Sequence, residues 1–190
     1  MWLHRVKQVY RDKLQLTWKS FSLDQVNRKG GLDWKAWDNP TSQHSRSIIA
    51  LWAGEAALRQ GQEASERFRM ALLLARHSGG KRIHLNRVEP MVTIAREVGL
   101  DEDMFFRSMS DRSLLQCIAL DHAEGVKKYG VFGTPTFVFE NGTSAYLKTF
   151  IPPEEETIST FEYFMALIGK RPYLGEIKRP QPPWPKGALK

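Results

Sequence analysis

The run from Val131 to Gly142, Val-Phe-Gly-Thr-Pro-Thr-Phe-Val-Phe-Glu-Asn-Gly, constrains the fold more than any other stretch of this chain. Gly133 frees the backbone ahead of a proline. Pro135 then fixes its own φ and pushes Thr134 into an extended conformation. A tight turn of this kind tolerates a cis X-Pro bond, so a cis Thr134-Pro135 bond, exposed at the edge of a groove, is expected. Phe137-Val138-Phe139 has strand composition, and Asn141-Gly142 is a two-residue hairpin signal, because both positions accept φ > 0. The expected order is a ligand-facing loop, a strand from Thr136 to Phe139, a turn, and a returning strand from Tyr146 to Phe150.

Upstream, apolar residues recur at helical spacing. Trp2, Leu3, Val6, Val9 and Tyr10 mark a first helix, after which Leu14 to Lys19 alternates like a strand. The stretch from Asn27 to Pro40 reads as a loop by its glycines, charges and closing proline. Its paired tryptophans, Trp34 and Trp37, read as anchors on the core, with a substrate groove as the alternative. Helices are expected from a Ser45 cap to Gly61, from Glu63 to His77 with Gly79-Gly80 as its stop, and from Val88 to Val98. A short helix around Met104 to Met109 and a long one from an Asp111 cap to Tyr129 complete the run. After the hairpin, Pro153 and Glu154 to Glu156 suit the opening of a last helix, with Phe161, Phe164, Met165 and Ile168 on its core face. The proline- and lysine-rich tail, residues 171–190, should be extended.

A helix ending in Lys127-Lys128-Tyr129-Gly130, followed by Val-Phe-Gly-Thr-Pro-Thr-Phe-Val-Phe, resembles the cis-proline loop of the DsbA-like thioredoxin-fold family. That family includes FrnE-like oxidoreductases and the glutathione transferase kappa and hydroxychromene-carboxylate isomerase branch. Trp18-Lys19-Ser20-Phe21-Ser22-Leu23 is similar to a strand that runs beside the active site there. The resemblance implies an α/β, thioredoxin-like fold over residues 1–170 with a helical insertion at about 45–128. It also implies a substrate-binding loop of Gly133, Thr134 and Pro135, in which the Thr134 backbone pairs with an extended peptide. The implied partner is a thiol- or disulfide-containing protein or peptide, with glutathione as the alternative.

The family's redox members carry a Cys-x-x-Cys just after the first strand, whereas this chain has one cysteine, Cys117, and its first residues are already helical. A sheet without its first strand would leave buried N–H and C=O groups unpaired, at ~1–3 kcal/mol each against a total stability of ~5–15 kcal/mol. The expectation is therefore that Met1 is an internal methionine of a longer protein, with a strand supplied by another chain as the alternative. The function implied is that of a DsbA-like thiol-disulfide oxidoreductase whose present chain lacks its redox cysteines and is inactive alone. A kappa-type glutathione transferase or isomerase and a redox-dead peptide-binding module are the alternatives. The kappa branch tends to an aromatic-glycine pattern after the hairpin that Ala145 to Phe150 lacks.

No catalytic residue stands out. Cys117 lies beside Ile118 on a helix with no basic neighbour, and reads as a buried structural thiol. His122 points about 140° away from it around that helix. The remaining histidines show no metal-ligand spacing, so neither a metal nor a cofactor is expected. The formal charge of +7 is spread along the chain without a nucleic-acid motif and favours acidic peptides over nucleic acid. No stretch is apolar and long enough to span a membrane, and Met1 to Arg5 lacks a signal-peptide core. A cytoplasmic protein is expected.

Overall fold

A computed structural model describes residues 2–27, 31, 33–41, 44–77 and 82–177. The chain clusters into two compact units, one formed by residues 1–17 with 129–190 and the other by residues 18–128.

In the first unit, helix α1 (Trp2–Tyr10) buries Trp2 and Val6 against Phe161 and Phe164 of α8 (Thr157–Phe164). Trp2 packs edge-on to both phenylalanines at 6.2 Å, and its indole N–H reaches the Thr157 carbonyl at 3.0 Å. That bond satisfies the one polar atom of an otherwise apolar ring. The α8 helix continues into a π turn, Met165–Gly169. Gly169 gives close passage there, since a Cβ would stand 3.2 Å from the Phe139 ring and force it to shift by a few tenths of an ångström. Pro153 lies just before a 3-10 turn, Glu154–Glu156, whose carboxylates suit a helix N-terminus.

The sheet among the described residues is the antiparallel pair β1 (Thr136–Val138) and β2 (Ser144–Tyr146), with Thr136 opposite Tyr146 and Phe137 opposite Ala145. The returning strand thus starts at Ser144 and ends where the expected one began. The turn is longer than the expected two residues. Phe139 N–H donates to the Thr143 carbonyl and Gly142 N–H to the Phe139 carbonyl, both at 2.9 Å. Gly142 takes φ +80° while Asn141 keeps a negative φ. This is the three-residue hairpin in which a left-handed glycine forms the bulge. Asn141 is occupied differently: its Oδ1 accepts from Thr143, and its Nδ2 donates to the Gly169 carbonyl at 3.0 Å.

The Leu14 to Lys19 segment is irregular and not the expected strand. Alternation makes a strand only where a neighbour offers a ladder, and the described sheet has no third strand to offer one. Side-chain carboxylates serve the adjoining backbone instead. In the second unit, Asp121 accepts from Lys19 Nζ at 2.7 Å and from Ser20 N–H at 2.9 Å.

The second unit is helical: α2 (Leu23–Asn27), α3 (Ile48–Leu58), α4 (Gln62–His77), α5 (Val88–Glu97), α6 (Glu102–Ser110) and α7 (Ser113–Tyr129), the last residue of α7 falling to the first unit. The α3 helix is apolar almost all round, and Ile48, Ile49, Ala53, Ala56 and Ala57 are buried among α4, α5 and α6. Its start is at Ile48, so Ser45 does not cap it; the Ser45 hydroxyl donates to the Asn39 carbonyl. Asp24 ties the entry instead, accepting from the N–H groups of Arg46 and Ser47 at 2.9 Å. Asp111 does cap α7, taking the Ser113 N–H at 2.9 Å. The expected Gly79-Gly80 stop lies outside the described residues, as does the tail from residue 178 on; residues 174–177 carry no regular structure.

Candidate substrate-docking loop

Gly130, at φ +64°, lies just past the end of α7, where a left-handed residue closes a helix. The chain then runs Val131, Phe132, Gly133 into the Thr134-Pro135 step, whose peptide bond is cis. Both Thr134 and Pro135 are exposed, and Gly133 is half-buried. The three residues expected at the site are thus contiguous on one loop of the first unit.

That loop is held from three directions. The Thr136 hydroxyl donates back to the Gly133 carbonyl at 2.7 Å, Leu147 N–H donates to the Pro135 carbonyl at 3.1 Å, and Ser144 Oγ donates to the Tyr129 carbonyl at 2.7 Å. The first two bonds fix the turn on either side of Thr134. Thr134 itself keeps its backbone N–H and C=O without a hydrogen-bond partner among the described residues. An exposed donor and acceptor on a backbone that is already fixed can pair with an extended chain at little ordering cost. Proline next to it offers no competing N–H.

Two residues that sequence reasoning left unassigned flank this loop. Phe132 and Tyr146 stack at 5.0 Å with their planes tilted by 51°. The register signal could have found Tyr146, because the residue opposite Thr136 shares its face of the hairpin.

The sole cysteine is elsewhere. Cys117 lies on α7 in the second unit and is exposed, in contrast to the buried thiol expected. The buried stripe of α7 is Leu114, Leu115, Ile118 and His122. At 100° per residue Cys117 falls about 115° from the middle of that stripe, so adjacency to Ile118 in sequence does not bring it inside. Its Sγ approaches the Ser113 carbonyl at 3.9 Å. His122 is buried between Phe21 at 4.6 Å and Trp37 at 5.5 Å. Trp34 and Trp37 are half-buried against the helical core, so they anchor their loop, and Gln25 fastens it further through the Ala36 N–H at 2.9 Å and the Trp34 carbonyl at 3.3 Å.

A hollow of about 500 Å³ in the second unit is lined by His84, Asn86, Arg87 and Glu89 among others, a mixture of signs that selects no single ligand charge. Among the described residues no group of three or more His, Cys, Asp or Glu side chains is placed to share a metal ion. No described helix is long and apolar enough to cross a membrane.

A family model described as a DSBA-like thioredoxin domain matches residues 1–153. No curated protein matches the chain. A mostly helical chain with a small two-stranded sheet is consistent with that domain's α/β, thioredoxin-like fold carrying an inserted helical part.

Proposed function

The chain belongs to the DSBA-like thioredoxin-domain family, and from that premise we propose that it serves thiol-disulfide exchange in the cytoplasm by docking a thiol- or disulfide-bearing peptide on Gly133, Thr134 and Pro135. The observation that carries this reading is the exposed Thr134, whose backbone N–H and C=O have no partner among the described residues while its neighbours are tied to Thr136 and Leu147. An extended peptide can add its own backbone there. Gly133 to Pro135 position the substrate sulfur and carry no electrons. A single cysteine cannot form an intramolecular disulfide, and this one observation favours a second reading, a peptide-binding module without redox turnover.

Titration of the 15N-labelled chain with an S-methylated cysteine peptide tests docking. The amides of Gly133, Thr134 and Thr136 should shift together, and Pro135→Ala should weaken binding roughly two- to tenfold, the worth of about one backbone hydrogen bond. The alanine introduces a backbone N–H and a free φ beside Thr134. Shifts confined to other residues, or affinity unchanged in the variant, would remove the docking site.

A further inference from the structure

Two aromatic rings stand out of the first unit's core beside the docking loop. Phe132 is 65% exposed and Tyr146 41% exposed, although rings of this size are ordinarily the first to be buried. Their positions are fixed. Gly133 lets the Tyr146 ring lie against the loop backbone, since a Cβ at that position would stand 3.2 Å from Tyr146 Cε2. Phe132 packs on the same ring at 5.0 Å. The other face of the hairpin accounts for the core: Phe137 and Phe139 stack on Phe164 at 4.9 and 5.8 Å. Phe132 and Tyr146 therefore form a preorganised apolar platform on the hairpin face that carries Thr136, and Tyr146 lies against Gly133, the residue before Thr134.

We infer that Phe132 and Tyr146 determine specificity at this loop, receiving an apolar or aromatic side chain that flanks the cysteine of an extended, acidic peptide. The inference rests on the docking reading and narrows its substrate class. An extended backbone paired at Thr134 alternates its side chains with a period of two, so the cysteine takes one face and both of its neighbours the other, the face that would meet the platform. Glutathione has no apolar side chain to place there, since its cysteine is flanked by γ-glutamate and glycine. The occupant is therefore a peptide segment of a protein. The net charge of +7 adds a preference for acidic sequence around that segment.

The test uses two fluorescein-labelled acidic peptides of equal length and charge, each with a central S-methylcysteine, one flanked by Phe and the other by Ser. Anisotropy is measured for the full chain and for Phe132→Ser, Tyr146→Phe and Pro135→Ala, with glutathione as competitor. The Phe peptide should bind about two- to tenfold more tightly than the Ser peptide, the range an aromatic contact carries. That ratio should collapse in Phe132→Ser and survive in Tyr146→Phe, and millimolar glutathione should not displace the peptide. Equal affinities for the two peptides, with Pro135→Ala weakening both, would overturn the platform and leave docking intact. Displacement by glutathione at its own loop affinity would overturn the peptide assignment in the same way. If neither peptide binds, or Pro135→Ala changes nothing, the docking reading itself falls and takes this inference with it.

Discussion

Glu55 is an acid inside a helical core, and its partners explain how it stays there. It is 8% exposed and accepts from Ser20 Oγ at 2.6 Å and from Arg69 at 3.2 Å. Gly54 makes room for the arginine, whose guanidinium carbon lies 3.1 Å from where a Cβ would be. Removing one partner of such a pair leaves an uncompensated charge, which is more damaging than losing the pair as a whole. Arg69→Met should therefore cost on the order of 3 kcal/mol in urea unfolding. Combining it with Glu55→Gln should recover part of that loss, because no charge remains inside. A double variant no more stable than the single one would show that the arginine acts through packing alone. Nothing in the sequence singled out this pair, since residues fourteen apart on two helices leave no local signature. Cys117 shows the same limit from the other side: its apolar neighbours suggested burial, but only the buried stripe of α7 fixes which way it points.

Elements were more legible than residues wherever their signals are local. The periodicities of α1, α4, α5 and α7 and the cap at Asp111 depend on neighbours within a few residues, and the structure reproduces those helices to within a residue or two. The α6 helix adds a cap that can be tested. Asp101 Oδ1 accepts the Met104 N–H at 2.7 Å, and the Asp101 backbone is clasped by Gln60, which donates to its carbonyl and accepts from its N–H, each at 2.9 Å. Asp101→Ala removes the side-chain cap but not the clasp, and should cost about 1 kcal/mol in thermal unfolding, while Asp101→Gly costs only a few tenths. Equal losses for the two would mean that the clasp, and not the cap, sets the start of α6. Strands were read less well. Leu14 to Lys19 alternates correctly, yet a strand exists only in a ladder, and pairing is a property of two segments. The hairpin was found because Gly142 must take a positive φ, but its length was missed because Asn141 spends its side chain on Thr143 and Gly169.

At the scale of the whole molecule, the docking loop belongs to the first unit and the only thiol to the second. The loop was legible because Gly133, Thr134 and Pro135 are consecutive and their backbone demands are local. The platform of Phe132 and Tyr146 was not, since it needs the register of β1 and β2 to bring the two rings together. Function then turns on how many thiols take part. Dithiol turnover needs two sulfurs that alternate between a dithiol and a disulfide within one protein. With Cys117 alone, an attack on a disulfide gives a mixed disulfide that only an external thiol such as dithiothreitol can release, because the chain holds no second thiol. The 190-residue chain should show no dithiol turnover: insulin reduction by dithiothreitol should stay at the uncatalysed rate, and Cys117→Ser should leave that rate unchanged. Iodoacetamide should meanwhile add one label to the folded chain without denaturant, since Cys117 is exposed. Turnover that survives Cys117→Ser would require chemistry other than thiol exchange, whereas turnover lost in that variant would make the exposed thiol of α7 a participant, released from its mixed disulfide by dithiothreitol.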